Sequence, residues 1–465
     1  MQGLVKKFLG FSIGPIASML IGFISVPLTT YFIVPTEVGK ASLFSMIQSI
    51  MVMIMYLGLD QSYVREYYDE KDKSKLISNC MAIPLFFSIM TIFICVVFYK
   101  PISLWLFGDI YFYPIILLGI STIFMCLERF IMLTLRMKEK AVLYSTISII
   151  TKLTSVIILL IFVLFIRIDF LAIIYSSIFT QILSGMTLFL LYRKSIKLKI
   201  SKFSFEYSKS LLKYGLPLAG VAIVGYLLNS IDNVFLKMFS TYEEIGYYSV
   251  AVRITGFLAV LQNIFGTFWA PVSYRWYHEN KPIYYYERVS KLLAFAMSLL
   301  FCIILLFKNL VPILISQTYL SSVTVLPFLL FHPIMYTLGI TTELGMQFKK
   351  KSYYSLYISI AALFINIVLN MLLVPLLGAK GAAMTTGISY IVFFLLKTIV
   401  SRQLWERFEI KYYFVLISIL FVSASVNTFI KSNSIVLLVN FLSIISILVL
   451  FNQQIRYIFM KIRYR

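Results

Sequence analysis

Three basic residues, Arg129, Lys152 and Arg253, sit inside long apolar stretches and not in the charged gaps between them. A charge at the centre of a bilayer costs at least about 2.5–3.5 kcal/mol, so each calls for a functional reading. Such a cation could contact a substrate, and for Lys152 a structural partner such as a buried carboxylate is the competing reading. Lys152 lies about eleven residues into its stretch, roughly 17 Å at 1.5 Å per residue, which is close to mid-membrane. Thr151 and Thr154 extend a polar stripe beside it. Arg253 falls in the outer half of its stretch. Asp232 lies in the outer third of the one before, with Asn229 three residues earlier on the same helical face. An Arg253–Asp232 ion pair and a ligand role for each are both open, because buried charges are usually paired. Arg129, adjacent to Glu128 and nearer the inner end, can also reach the interface along its own stem. Lys152, Arg253, Arg129, Asp232 and Asn229 are the candidate substrate-binding set.

Four more residues are candidates for coupling or gating. His332 lies about ten residues into an apolar segment, where an imidazole could titrate near neutrality or simply pack. Glu343, near the inner end of that segment, reads as a proton carrier or an interfacial carboxylate. Asp60 and Arg65 flank the inner end of the second segment, as a cytoplasmic gate or an ordinary interfacial pair. No nucleophile stands with an orienting base, which argues against hydrolysis or group transfer and against an enzyme. His278 and His332 are the only histidines, and Cys80, Cys95, Cys126 and Cys302 have unrelated spacings. Neither a metal motif, a disulfide framework nor a cofactor is implied. Gly378-Ala379-Lys380-Gly381 lacks the strand and length of a phosphate loop and reads as a tight turn between helices.

The elements that must hold these residues follow from composition. Of 465 residues, 60% are hydrophobic and 13% charged, against roughly 25% charged in a soluble domain. A hydrocarbon core of about 30 Å needs about 20 apolar residues per helical crossing, and lipid excludes irregular exposed backbone. About fourteen transmembrane helices result, at approximately 8–32, 41–59, 80–98, 111–135, 141–166, 168–192, 211–238, 245–271, 290–314, 322–346, 353–376, 380–400, 412–430 and 434–455. The first is too long for a secretory signal peptide and reads as an uncleaved helix. The net charge of +22 would suggest nucleic acid in a soluble protein. Here it sorts by loop. With the N-terminus inside, 31 of the 41 Lys and Arg fall in inward connections and seven in outward ones, Lys308 among the latter and Lys397 among the former. That bias places both termini in the cytoplasm.

Two stretches repeat across the chain. Gly14-Pro15 opens an apolar run ending in Pro35-Thr36-Glu37-Val38-Gly39, and Tyr214-Gly215-Leu216-Pro217 opens another ending in Thr241 to Ser249 with Glu244-Ile245-Gly246. Leu135 to Lys140 and Met346 to Lys351 form a second pair of inward basic turns. Six helices followed by six, both halves starting inside, fit a duplicated bundle. The expected parts are an N-terminal six-helix bundle over 1–200 and a second over 201–400. Residues 401–465 add two transmembrane helices and a basic tail.

These residues resemble the multidrug/oligosaccharidyl-lipid/polysaccharide exporter superfamily, and within it the polysaccharide transport branch of Wzx-type flippases. The likeness rests on Tyr214-Gly215-Leu216-Pro217, Asp232, the Glu243 to Ser249 turn, Leu369-Asn370, and Pro375 to Ala383 before Ile388-Ser389-Tyr390, and it spans about residues 1–400. The resemblance implies a V-shaped pair of six-helix bundles with a central cavity. It implies transfer of an undecaprenyl-pyrophosphate-linked oligosaccharide across the bacterial cytoplasmic membrane for O-antigen, capsule or exopolysaccharide synthesis. Membrane lipids, a polysaccharide polymerase and a chain-length regulator are the implied partners, and no nucleic acid. A multidrug exporter, a lipid II flippase, and a membrane polymerase or acyltransferase are the competing readings. The first should favour mid-depth carboxylates, and the last a large outer loop or a catalytic set.

Overall fold

A computed structural model of the chain describes residues 2–193, 200–351, 353–407 and 409–454. The cations Lys194, Lys197, Lys199, Arg456, Lys461, Arg463 and Arg465 lie outside them. Each of the fourteen expected segments falls on helix. The chain divides into two compact units, Met1–Ser230 and Ile231–Arg465.

The first unit holds α1 (Gln2–Phe32), α2 (Pro35–Tyr56), α3 (Leu59–Glu66), α4 (Lys73–Val97), α5 (Tyr99–Phe107), α6 (Phe112–Met137), α7 (Ala141–Phe165) and α8 (Phe170–Tyr192). The division falls inside α9 (Phe205–Phe239). The second unit continues with α10 (Tyr242–Thr255), α11 (Leu258–His278), α12 (Ile283–Leu306), α13 (Val311–Leu314), α14 (Leu320–Leu329) and α15 (Phe331–Thr342). Then come α16 (Leu344–Phe348), α17 (Tyr353–Leu377), α18 (Ala379–Leu404), α19 (Lys411–Phe429) and α20 (Asn433–Leu450).

Among the described residues twelve spans are long and apolar enough to cross a membrane, and α10 with α11, bent by 41°, make a thirteenth. The apolar stretch Ile16–Phe32 of α1 lies within the first expected segment. The expected total of about fourteen is thus met as helices.

Local chemistry explains the boundaries that differ from expectation. α2 starts at Pro35, inside the expected outer turn, because proline fits the first helical position and Glu37 favours the first turn. The second span ends at Tyr56, where Leu57 (φ 47°) and Gly58 (φ 73°) turn left-handed. A Cβ on Gly58 would lie 2.0 Å from the carbonyl oxygen of Gly215 on α9, so this crossing requires glycine. Asp72 accepts from the backbone N–H of Ser74 (3.1 Å) and Lys75 (3.2 Å), which starts α4 ahead of its apolar run.

The two repeats recur as matched geometry, each inside its own unit. Glu37 accepts from the N–H of Phe170 at the start of α8 (3.1 Å), and Glu244 accepts from the N–H of Ala379 at the start of α18 (2.7 Å). In each unit a glutamate from the first turn of the second span thus caps the sixth. The inward turns match as well. Lys140 N–H reaches Leu135 O (3.0 Å) around Glu139 at φ 54°, and Lys351 N–H reaches Met346 O (2.8 Å) around Lys350 at φ 56°. The second span differs between the units: α2 crosses whole and is followed by the short helix α3, whereas α10 and α11 form one span broken by 41°. Packed pairs correspond too, with α6 on α8 in the first unit and α15 on α18 in the second. The final helices α19 and α20 pack on each other and against α14 and α12.

Candidate functional site

Polar chemistry is buried separately in each unit. In the first, Arg129 on α6 directs Nε (3.2 Å) and Nη2 (2.6 Å) onto the Oδ2 of Asp60 in the first turn of α3. Gln61 donates to the same oxygen at 3.1 Å. Asp60 is buried while Arg129 is 43% exposed, towards a cavity of about 340 Å³. Asp60 stands in the first turn of α3, just after the left-handed residues Leu57 and Gly58, and lines that cavity. Sequence reasoning paired Asp60 with Arg65 as flanking residues. The guanidinium of Arg65 instead stacks on Tyr214, 4.0 Å from the ring centroid.

Lys152 lies on α7, its stem passing Gly22 of α1 so closely that a Cβ there would be 3.1 Å from the Lys152 Cε. The polar stripe expected around it turns towards α8, where Thr151 Oγ1 meets Ser184 Oγ at 3.1 Å. Glu128 joins the same seam, accepting from Gln181 Nε2 at 2.5 Å. Sequence reasoning passed over this contact, although Gln181 and Ser184, three apart in an apolar run, carried its signal.

In the second unit Asp232 on α9 is fully buried. Its Oδ2 accepts from the hydroxyls of Tyr248 on α10 and Thr386 on α18, each at 2.5 Å. Its Oδ1 accepts from Nδ2 of Asn370 (2.7 Å) and Asn366 (3.4 Å), one turn apart on α17. The expected Arg253–Asp232 ion pair is not formed, because these four neutral donors occupy the carboxylate. Asn229 does not join the cluster either. It is exposed and donates to Gly225 O at 2.8 Å. Asn370 Oδ1 is buried without a partner among the described residues. A carboxylate, two amides whose orientation can be exchanged and two hydroxyls form an oxygen-rich set, chemically suited to a proton or a small hard cation.

Arg253 lies in the last turn of α10, at the break before α11. It is half-buried and, among the described residues, makes no ion pair or hydrogen bond. His332 packs against Tyr390, the rings tilted by 34° with centroids 4.2 Å apart. Glu343 is more than an interfacial carboxylate. It pairs with Lys397 and accepts from Gln347 at 2.9 Å, with both charged side chains at 13% exposure or less. Lys397 therefore leaves the inward loop tally, its ammonium lying over the Phe393 ring at 4.5 Å. Lys308 is also buried, beyond the end of α12. It donates to Asn427 O at 2.7 Å, and burial pushes its ammonium down to about 8.

An all-α chain with a dozen or more spans and polar clusters deep in both units is an integral membrane protein. Residues 4–277 match the polysaccharide biosynthesis protein family, more than half of the chain, and the chain belongs to that family. It is 23% identical over 223 residues to the probable low-salt glycan biosynthesis flippase of Haloferax volcanii, the match covering 47% of each protein. The chain thus spans about half the length of that curated relative. Its fold is shared with the lipid II flippase MurJ, at TM-score 0.73 and 17% identity over 98% of this chain and 99% of the other. A multidrug resistance MATE family transporter of the MOP superfamily, in an inward-facing structure, aligns at TM-score 0.64 and 14% identity over 83% and 94%. The superfamily resemblance read from the sequence therefore holds.

Proposed function

We propose that the protein is a flippase. It carries a polyprenyl-pyrophosphate-linked oligosaccharide repeat unit across the bacterial cytoplasmic membrane for surface polysaccharide synthesis, by alternating access. The physical task is to move a sugar head group and two phosphates through hydrocarbon while the polyprenyl tail stays in lipid. Arg253 carries the reading. A guanidinium inside the membrane with no acidic partner among the described residues has its charge available to a phosphate. It sits at the break between α10 and α11, and discontinuous helices are where transporters commonly bind their substrates. Lys152 is the second cation assigned to the pyrophosphate. Family membership and the glycan flippase relative support the substrate class. Arg129 and Asp60 line the inner approach, and the Asp232 cluster, Glu343 and His332 are assigned to coupling and packing. No covalent chemistry is required of any residue. Both termini face the cytoplasm, and a polymerase and a chain-length regulator are the partners downstream.

The test is transfer of labelled lipid-linked oligosaccharide across proteoliposomes. Arg253→Ala should lower the transfer rate by at least about tenfold, equivalent to 1.4 kcal/mol, and Lys152→Ala should lower it as well. Unchanged rates in both variants at equal protein level would overturn the assignment. Absence of transfer by the unaltered protein would overturn the function.

A further inference from the structure

The cavity beside Asp60 carries an inference that rests on the flippase reading and deepens it. Its polar groups are few and unequally used. Oδ2 of Asp60 takes all three hydrogen bonds, from Gln61 Nε2 and from Arg129 Nε and Nη2, which leaves Oδ1 without a partner among the described residues. Arg129 has five N–H donors and uses two of them here, leaving three N–H groups over. Gln61 keeps its amide oxygen. The array therefore alternates acceptors and donors, with no net charge.

The rest of the wall includes Tyr56, Tyr226, Met125, Leu218 and Ala222, and the one further polar side chain, Ser49, donates its hydroxyl to Ser45 O. The tyrosine hydroxyls are engaged with backbone oxygens, Tyr56 to Met125 O at 3.1 Å and Tyr226 to Met46 O at 3.4 Å. What they leave to the cavity is ring surface. Aromatic walls with a few convergent polar groups are the usual make-up of a small-molecule site.

A phosphate suits this cavity poorly, because it would sit against the Asp60 carboxylate as well as the Arg129 guanidinium. A sugar ring suits it well. Every hydroxyl is both donor and acceptor, vicinal hydroxyls match a carboxylate edge or a guanidinium edge, and the C–H face of the ring lies on aromatic carbon. We propose that the cavity between α2, α3, α6 and α9 is a subsite for an uncharged sugar residue of the transported glycan, kept neutral by the Asp60–Arg129 pair. Asp60 then sets specificity. It neutralises Arg129 and so turns away acidic sugars.

The experiment is saturation-transfer NMR on the full chain in nanodiscs, with a panel of methyl glycosides as probes. The panel holds the glucoside, galactoside, N-acetylglucosaminide and glucuronide. At least one neutral glycoside should receive saturation from the unaltered protein, more strongly than the glucuronide. Asp60→Asn should reverse that preference by about tenfold, because it leaves Arg129 unopposed. Ala222→Trp, which fills the cavity and leaves the ion pair in place, should remove the neutral signal. Arg253→Ala should keep it. Neutral-glycoside signals that persist in Ala222→Trp, a glucuronide preference in the unaltered protein, or no signal from any neutral glycoside would each overturn the subsite. These outcomes separate from failure of the flippase reading. Lipid transfer in proteoliposomes without glycoside binding removes the subsite alone, and glycoside binding without lipid transfer removes the flippase alone.

Discussion

Asp232 shows how a single carboxylate can be held in hydrocarbon without a counter-charge. Four neutral donors surround it, two hydroxyls at 2.5 Å and two amides at 2.7 and 3.4 Å. Deleting the acceptor would strand those donors. Asp232→Ala should therefore lose about 3–5 kcal/mol, whereas Asp232→Asn, which keeps an oxygen in place, should lose less. Thermal midpoints in detergent provide the measurement, and an alanine variant as stable as the asparagine one would refute this account of the cluster. The same residue marks where sequence reading stopped. Asp232 stood out as an intramembrane acid, but three of its four partners lie more than a hundred residues away on α17 and α18, and Asn366 reads as one more polar residue in an apolar run. Arg253 was the nearest opposite charge by position, and proximity in sequence pointed the wrong way. Lys397 was misread for a related reason. Its place near the inner end of a segment looks interfacial until α15 and α18 pack and bring Glu343 to it.

At the scale of elements, the spanning helices were legible, since a run of about 20 apolar residues has few alternatives in lipid, while the short helices α3 and α5 fell in stretches read as connections. Helix breaks were not. Leu57 and Gly58 turn left-handed because α9 crosses there, and α10 parts from α11 without a proline at the join. Turns that repeat were legible, and their shared geometry supplies a graded test at the outer end of α18. Gly378 has φ 55°, and a Cβ there would meet the Glu244 carboxylate at 2.7 Å. Gly378→Ala should thus be costlier than Glu244→Ala, which removes one cap worth about 1 kcal/mol. Unfolding midpoints of the two variants give the order, and a Gly378→Ala protein as stable as its parent would contradict it.

For the whole molecule, the basic residues of the connections predict orientation. Lys350 and Lys431 lie in connections of opposite sign in that scheme and both are exposed. The four native cysteines are buried, so background labelling should be low. In intact cells a membrane-impermeant maleimide should label Lys431→Cys and spare Lys350→Cys, and the reverse pattern would place both termini outside. The repeat and the compact units divide the chain at different points. By the repeat the second half opens near Tyr214, yet the compact division comes after Ser230, part-way along the unbroken helix α9. By pattern the first part of α9 belongs to the second half, and by packing it belongs to the first unit. A gene cut in the connection before Phe205 would leave the upstream fragment with a vacant slot, to be filled only by its co-translated sister. Two such fragments should be inert alone and complement when made together, which makes that connection the natural place to split the protein into a two-component reporter.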